Sequence, residues 1–199
     1  MAPKSCVLAS RNKHKIEELR QLLVDLDIEL KSSLDFSGLQ EVEEDGETLQ
    51  ENAFKKVFYT YSEIGLPSVA DDTGLEIDAL QGEPGVYSAR YAGENATYQD
   101  NVNKLLLELE NCKQDPPFSA RFKTVIAYKD DETEWWGEGV CEGNIILKQR
   151  GENGFGYDPV FVPEGYEKTF AELDADTKNK ISHRGRAMDK FISWMKSRK

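Results

Sequence analysis

The chain has 199 residues, of which 39% are hydrophobic and 31% are charged, a composition that suits one ordinary folded domain. Its formal net charge of −12 disfavours non-specific binding to DNA or RNA, because gripping a nucleic-acid backbone needs clustered lysine and arginine. The 3 cysteines are odd in number and form no C-x-x-C pair, so a disulfide framework and a cysteine zinc cluster are both disfavoured.

The first part of the chain alternates between strand and helix patterns. The apolar stretch at 6–9 is too short for a signal peptide or a membrane span, so we expect a cytoplasmic protein with no membrane partner. That stretch is typical of a buried strand, and the leucine spacing over 16–26 predicts an amphipathic helix after it. A short strand at 28–30 and an acidic loop at 32–47 are predicted next.

The rest of the chain continues this alternation. T-L-Q-E at 48–51 is a capping-box pattern that predicts a helix ending at Gly65, and the alternating residues at 75–79 predict a strand. The remaining predicted elements are a helix capped near 97–100, paired strands at 118–128 and 133–147, a glycine-rich loop at 149–158, and a final helix from Ser182 that leaves 196–199 as a frayed end. These patterns predict one α/β domain over residues 1–199, built on a mixed sheet.

Several common catalytic motifs are missing from the sequence. His14 and His183 are the only histidines, which disfavours a zinc site built on several imidazoles. No G-x-S-x-G, G-x-x-x-x-G-K-S/T or strand-linked G-x-G-x-x-G motif occurs, which disfavours a serine hydrolase, a P-loop NTPase and a Rossmann dinucleotide site. Carboxylate chemistry, with or without a hard metal ion, therefore remains.

A polar turn rich in cations follows the first predicted strand. Free N–H groups at the start of a helix attract anions, and basic side chains add to that attraction. The alternative interpretation is an ordinary turn in which Ser10 or Asn12 caps the helix. The residues of this candidate anion site are Ser10, Arg11, Asn12, Lys13, His14 and Lys15.

Two adjacent carboxylates, Asp71 and Asp72, precede Thr73-Gly74 at a point where α/β sheets bind their ligands. Mg²⁺ suits such a place, since proteins hold it by one or two carboxylates while phosphate oxygens complete its coordination shell. The alternative is an ordinary turn, which Asp and Gly both favour. The acidic run over 41–47 predicts a solvated loop, in which one carboxylate can still complete a metal site.

Two later segments suit a nucleotide base or a phosphate. G-F-G-Y-D-P at 154–159 surrounds two aromatic rings with small residues, so that a ring can lie against a base; the alternative is a glycine turn with the tyrosine in the core. Residues 178–185 place cations at a predicted helix start, where the helix dipole disfavours Arg184. The presence of Arg184 at this position suggests a function. The alternative interpretation is a helix start that is charged but has no functional role.

Six motifs, in a fixed order along nearly the whole chain, resemble the inosine triphosphate pyrophosphatase family. They are S-x-N-x-x-K at 10–15, E-N-A at 51–53, A-D-D-T-G-L at 70–75, G-E-P-G-V-Y-S-A-R-Y-A-G at 82–93, G-F-G-Y-D-P at 154–159 and I-S-H-R-G at 181–185. The resemblance implies a long curved mixed β-sheet flanked by helices, two lobes with a central cleft, and a homodimer. It also implies hydrolysis of ITP, dITP and XTP to the monophosphate and pyrophosphate, with Mg²⁺ or Mn²⁺ as cofactor.

The same resemblance assigns roles to particular residues. Asp72 matches the proton acceptor and one metal ligand, and Glu43 matches the second metal carboxylate. The family often has Thr and Gly where this chain has Ser10 and Arg11, so the hydroxyl is kept and a bulky cation is added. The substrate-binding residues that the resemblance implies are Ser10, Arg11, Asn12, Lys13, His14, Lys15, Lys56, Thr73, Phe155, Gly156, Tyr157, Asp158, Lys178, His183 and Arg184.

A mechanism follows as a hypothesis. Asp72 positions a water for attack on the α-phosphorus, and the leaving pyrophosphate is stabilised by cations, which are Lys15, Lys56 and Lys178. Because arginine can only donate hydrogen bonds, Arg184 is expected to favour the C6 oxygen of hypoxanthine or xanthine over the C6 amino group of adenine.

Two other functions stay open at this point. An NTP phosphatase would release orthophosphate from the γ position, and a nucleotide-sensing module would bind without turnover. The Asp71-Asp72 pair disfavours a sensor, because binding alone needs no water-activating carboxylate. An acidic protein-interaction domain is disfavoured by the cationic turns at two predicted helix starts.

Overall fold

The computed structural model of the chain describes residues 5–24, 26 and 28–198, so Lys199 of the predicted frayed end lies outside the described residues. The strands are β1 (Ser5–Leu8), β2 (Glu29–Ser32), β3 (Ser68–Ile77), β4 (Pro84–Gly85), β5 (Phe118–Lys129), β6 (Glu134–Ile145) and β7 (Phe161–Pro163). The α-helices are α1 (Lys13–Leu22), α2 (Leu49–Ile64), α3 (Tyr98–Asn111), α4 (Ala175–Ile181) and α5 (His183–Ser197). No helix in these described ranges is long and apolar enough to cross a membrane.

The strands form one mixed sheet in the order β2-β1-β3-β5-β6-β7, with β4 paired to β3. β1 runs parallel to both β2 and β3, so α1 and α2 serve as the crossover helices that parallel pairing requires. β4 is antiparallel to β3, and β7 is antiparallel to β6. The predicted mixed sheet with flanking helices is therefore confirmed, whereas the predicted lobes and central cleft stay a prediction.

The helix starts follow from side chains that accept backbone hydrogen bonds. Asn12 caps α1, one of the two caps considered in the alternative interpretation of that turn. Thr48 caps α2 as its capping-box pattern predicts, and Gly65 ends α2 in a left-handed conformation with φ 69°. Ser182 ends α4 and immediately precedes α5. The sequence analysis did not predict α4, because its seven residues contain no apolar periodicity.

The chain divides into two compact units. The first unit comprises residues up to Asp72, Thr124–Gly139 and the segment from Arg184 onward, and the second comprises Thr73–Lys123 and Val140–His183. The first unit has an apolar cluster on each side of its strands, while the second is built around buried aliphatic and aromatic side chains. The largest of these in the second unit are Leu75, Ile77, Leu105, Leu109, Ile145, Phe161 and Phe170.

The two apolar clusters of the first unit show that successive side chains of β3 point to opposite faces of the sheet. Val69 packs with the cluster that contains α1 and α5, while its neighbour Ala70 packs with the cluster that contains α2. Successive side chains of a strand point to opposite faces. Asp71 and Asp72 continue the same strand, so the turn considered at residues 71–74 is wrong and the two carboxylates point in opposite directions.

The end of α5 is held by the side chain of Arg198 rather than frayed. Arg198 Nη1 donates to the Asp130 Oδ2 and Tyr128 Oη atoms at 2.7 and 3.2 Å. Its Nη2 donates to Thr133 Oγ1 at 3.2 Å, and its guanidinium carbon lies 4.9 Å from the centroid of the Trp194 ring. The predicted frayed end is therefore wrong for Arg198, because an ion pair with Asp130 and a contact with the Trp194 ring hold its side chain in place.

Replacing Arg198 with alanine is expected to lower the free energy of unfolding by about 1.5–3 kcal/mol, the range for hydrogen bonds to charged groups. Urea denaturation monitored by tryptophan fluorescence measures this change. Lys196→Ala is the matched control, because Lys196 lies on the same turn of the chain with an exposed side chain. Equal stability of the two variants would contradict the role given to Arg198.

Candidate active site

Asp71 is the centre of a buried ion network in the first unit. The side chain is 1% exposed, and its Oδ2 atom lies 3.1 Å from Lys15 Nζ. Arg184 donates to the same oxygen through Nε at 3.3 Å and Nη2 at 3.2 Å. Arg184 Nη1 also donates to Glu18 Oε2 at 2.6 Å. We call these four residues the Asp71 network; it joins β3 to α1 and α5.

The Asp71 network explains why a cation stands at the start of α5. The helix dipole disfavours positive charge there, but two carboxylates, from Asp71 and Glu18, neutralise the Arg184 guanidinium. Burial raises the pKa of Asp71, but the charges of Lys15 and Arg184 outweigh it and hold that pKa well below its ordinary value. Asp71 is therefore a permanent anion whose charge is matched by fixed cations.

Asp72 points to the other face of β3, where it meets α2. Lys56 of α2 donates to Asp72 Oδ1 at 2.8 Å, to Glu44 Oε1 at 2.7 Å and to the Asp71 carbonyl oxygen at 2.7 Å. Burial is the largest effect on Asp72 and raises the pKa of its carboxyl, despite the adjacent Lys56 ammonium. The pKa values of Asp71 and Asp72 are thus displaced in opposite directions.

Glu44 is the acidic-loop carboxylate that shares the Lys56 ammonium with Asp72. Glu44 is half-buried against Lys56, whereas Glu43 is exposed. Burial raises the pKa of Glu44, but the charges of Lys56 and Lys15 outweigh it and the pKa is lowered. The family resemblance assigns the second metal carboxylate to Glu43, and that assignment stays a prediction, because an acidic run has no periodicity to show which side chain turns inward.

Asn52, the middle residue of E-N-A, fixes the loop that carries Glu44. Its side chain is 0% exposed, and its Oδ1 atom accepts a hydrogen bond from Gly46 N at 2.8 Å. A Cβ atom at Gly46 would lie 2.6 Å from that same oxygen, so only glycine allows this close approach. The sequence analysis gave Asn52 no role. The glycine at position 46, six residues before the asparagine of the E-N-A motif, could have suggested this close contact.

Glu44 and Asp72 form a donor set that fits a hard divalent cation. Their carboxylate oxygens converge on one cationic group, the Lys56 ammonium, at 2.7 and 2.8 Å. Within the described part of the chain no cluster of three or more His, Cys, Asp or Glu side chains could hold a metal ion by itself. Two carboxylates suit Mg²⁺, which proteins commonly bind through one or two carboxylates together with substrate phosphates.

The cationic turn at 10–15 is built as a helix cap. Asn12 Oδ1 accepts from the backbone N–H groups of His14 and Lys15 at 3.1 and 3.3 Å, and Ser10 Oγ accepts from Asn12 N at 3.2 Å. Arg11 donates from Nη2 to the carbonyl oxygen of Leu39. Lys15 is the side chain of this turn that enters the Asp71 network, while Arg11, Lys13 and His14 are exposed.

The second unit brings Phe155, Asp158 and Lys178 together. Asp158 Oδ2 accepts hydrogen bonds from Phe155 N at 2.8 Å and from Lys178 Nζ at 2.7 Å. The Lys178 ammonium lies 5.2 Å from the centroid of the Phe155 ring. Gly154 and Gly156 flank that ring with positive φ angles of 74° and 61°, which glycine adopts without strain.

Three other predicted substrate-binding residues have well-defined surroundings. Tyr157 is buried and donates from its hydroxyl group to the carbonyl oxygen of Ser88 at 2.9 Å, the core position that the alternative interpretation gave it. His183 is 3% exposed and stacks on Phe122, with centroids 4.5 Å apart and planes 14° apart. Thr73 follows Asp72 in β3 and is half-buried.

Comparison with known proteins identifies the family. Residues 6–194 match the sequence profile of the Ham1 family. The chain belongs to the Ham1 family. The family resemblance inferred from the six motifs is therefore confirmed.

Relatives of this Ham1 protein match it over nearly its full length. A dITP/XTP pyrophosphatase from Desulforamulus reducens is 49% identical over 187 residues, which cover 94% of this chain and 92% of the relative. A dITP/XTP pyrophosphatase from Desulfotalea psychrophila is 44% identical over 200 residues, covering 96% and 88%. The solved structure of a HAM1 protein from Coxiella burnetii superposes with a TM-score of 0.89 at 42% identity, covering 98% of this chain and 100% of that chain.

Proposed function

We propose that this Ham1-family protein hydrolyses the purine nucleotides ITP, dITP and XTP to the monophosphate and pyrophosphate. The observation that carries the proposal is the contrast between the surroundings of two adjacent carboxylates, Asp71 and Asp72. Fixed cations hold Asp71 as an anion, while Asp72 has a raised pKa and shares a cation with Glu44. Relatives at 44–49% identity that are named dITP/XTP pyrophosphatases support the substrate class.

In the proposed reaction, Asp72 accepts a proton from the water that attacks the α-phosphorus. The bond from that phosphorus to the bridging oxygen breaks, and pyrophosphate leaves with the electron pair. Burial lowers the pKa of Lys56, but Asp72 and Glu44 outweigh it and raise that pKa, so Lys56 keeps its charge beside the phosphates. Lys15 supplies a second fixed charge, since its ammonium is already positioned by Asp71.

We propose Mg²⁺ as the cofactor, with Mn²⁺ as a substitute, held by Glu44 and Asp72. A bound ion of this kind neutralises phosphate oxygens and lowers the pKa of water. Removing divalent cations with EDTA is therefore expected to abolish turnover, and adding Mg²⁺ back is expected to restore it. Full activity in EDTA would contradict the proposed cofactor.

Glu44→Gln is expected to lower kcat/KM for ITP by about a hundredfold, because the amide keeps the shape of the side chain and loses the charge that a metal ligand needs. Glu43→Gln is the matched control, because Glu43 is the adjacent exposed glutamate, and it should retain wild-type activity. Steady-state kinetics at saturating Mg²⁺ measures both variants. The opposite result, with Glu43→Gln inactive and Glu44→Gln active, would return the metal carboxylate to Glu43.

For the base, we propose that it stacks on Phe155 and accepts a hydrogen bond from Lys178, which the mechanism drawn from the sequence had instead assigned to the leaving pyrophosphate. Lys178 lies beside the Phe155 ring and can only donate hydrogen bonds, so it suits the C6 oxygen of hypoxanthine or xanthine and not the amino group of adenine. Arg184 is bound to Asp71 and Glu18 in this structure, and its direct contact with the base stays a prediction.

Product analysis tests the proposed function. Purified protein is incubated with Mg²⁺ and, separately, with ITP, XTP, GTP and ATP, and the products are separated by anion-exchange chromatography. IMP and XMP with pyrophosphate, and little product from ATP or GTP, are the expected result. Diphosphates with orthophosphate would favour a phosphatase, and binding without products would favour a nucleotide sensor.

We also propose that the protein is a cytoplasmic homodimer that acts on free nucleotides and binds no nucleic-acid polymer. The family resemblance and the net charge of −12 support this proposal. Sedimentation equilibrium is expected to give twice the chain mass of 22.6 kDa, and a monomer at micromolar concentration would contradict it.

A further inference from the structure

An exposed tyrosine lies against the aromatic ring that the proposed function uses for base stacking. Tyr98 is the first residue of α3, and its side chain is 40% exposed. Its ring centroid lies 5.6 Å from that of Phe155, with the two planes 44° apart. We infer that Tyr98 is a positioning residue that holds the Phe155 ring as a surface for the purine base, an inference that rests on the proposed function.

Phe155 needs neighbours that fix its ring because its backbone is intrinsically free. It stands between Gly154 and Gly156, and glycine permits more backbone conformations than any other residue. The hydrogen bond from Phe155 N to Asp158 anchors the backbone of the loop. A backbone bond leaves the rotation about Cα–Cβ open, so the direction of the ring depends on what packs against it.

Tyr98 and Lys178 both approach the Phe155 ring. The Lys178 ammonium lies 5.2 Å from the ring centroid and is itself tied to Asp158. The Tyr98 ring adds an aromatic contact at 5.6 Å, within the 4.5–7 Å range in which such pairs attract. Together they hold the half-buried Phe155 ring in one orientation before a base binds. The side chain therefore loses less conformational entropy when the base binds.

Tyr98 is able to act as a fixed support because the start of α3 is well anchored. Thr97 and Asp100 form a reciprocal capping box, with Asp100 Oδ2 accepting from Thr97 N at 2.8 Å and Thr97 Oγ1 accepting from Asp100 N at 3.2 Å. One turn further on, Asn101 Oδ1 accepts from Ala92 N at 2.7 Å, and Leu105 of the same helix is fully buried. Side chains on rigid elements hold a binding surface more firmly than side chains on loops.

Loss of the tyrosine ring should weaken only the binding of ligands that carry a base. Tyr98→Ala is expected to raise the dissociation constant of IMP about three- to tenfold, the range that corresponds to an aromatic pair. The dissociation constant of pyrophosphate, which has no base, should stay unchanged. KM for ITP should rise by a similar factor with kcat retained, and Tyr98→Phe should restore wild-type values because it keeps the ring.

Isothermal titration calorimetry with IMP and with pyrophosphate, both in Mg²⁺, tests the inference on the full-length protein. Tyr166→Ala is the matched control, because Tyr166 lies in the same unit with the same exposed fraction of 40%. Weaker IMP binding in Tyr98→Ala alone supports the inference. Unchanged IMP binding, or an equal loss of pyrophosphate binding, overturns it.

A double-mutant cycle shows whether Tyr98 acts through Phe155. Phe155→Ala is expected to weaken IMP binding by about tenfold or more, and adding Tyr98→Ala to it should cause little further loss. Independent, additive losses would overturn the positioning role. If the wild-type protein neither hydrolyses ITP to IMP and pyrophosphate nor binds IMP, the proposed function and the inference are both overturned. If the wild-type protein hydrolyses ITP normally and Tyr98→Ala binds IMP as tightly as the wild type, the inference alone is overturned.

Discussion

Asp72→Asn is expected to lower kcat for ITP by about a hundred- to ten-thousandfold, the usual contribution of a general base. The amide matches the carboxylate in shape, so Lys56 keeps hydrogen-bond acceptors in Glu44 and the Asp71 carbonyl oxygen. Because burial raises the pKa of Asp72 despite the adjacent Lys56, folding does not favour its charged form, and the free energy of unfolding should change by no more than about 1 kcal/mol. Lost activity in a folded protein is the distinguishing result.

The matched control for Asp72→Asn is a substitution of an aspartate outside the site. Asp115 is exposed and lies before β5, so Asp115→Asn should keep both activity and stability. Initial rates with ITP and urea denaturation of both variants supply the two measurements. Turnover near the wild-type rate in Asp72→Asn would remove the proton-acceptor role from Asp72.

Asp71→Asn is expected to have the opposite profile, with its main effect on stability. Removing one partner of a buried ion pair costs about 3–5 kcal/mol, because the remaining charge stays buried without compensation. Here the change would leave the buried Arg184 and the half-buried Lys15, with Glu18 as the remaining carboxylate of the Asp71 network. Urea denaturation at pH 7 should show a lower midpoint with an unchanged slope.

The pH dependence of stability gives an independent check on Asp71. Its pKa is lower in the folded state than in the unfolded chain, where an aspartate titrates near about pH 4. The ion pairs therefore contribute stability that is fully present above about pH 4 and is lost as the pH falls toward the folded pKa. Asp71→Asn has no such contribution, so the stability gap between variant and wild type should narrow below about pH 4. A gap that is constant from pH 7 to pH 3 would contradict the network.

The sequence predicted most helix starts because capping is local. The caps at Asn12, Thr48 and Thr97 each depend on hydrogen bonds that span two or three residues, and all three stand where the patterns place them. Helix α4 was missed because it is short and mostly polar, with charges on both sides of its surface. Helix starts that depend on local hydrogen bonds could therefore be predicted from the sequence.

The candidate site was only partly predictable because its decisive contacts are long-range. Arg184 pairs with an aspartate 113 positions away, so the sequence could mark its unusual place at a helix start but could not name Asp71 as its partner. Glu44 lies against Lys56 in a loop that the bond between Gly46 and Asn52 anchors, and no periodicity in the acidic run reveals this contact. The opposite directions of the Asp71 and Asp72 side chains follow from a continuous β3, whereas the sequence left a turn open at the same residues.

Hydrolysis of ITP in water enriched in ¹⁸O tests the central claim, that water attacks the α-phosphorus. Mass spectrometry of both products locates the oxygen that came from solvent. One ¹⁸O atom in IMP and none in pyrophosphate is the predicted result. Label in pyrophosphate, or in orthophosphate, would place the attack on another phosphorus and contradict the proposed chemistry.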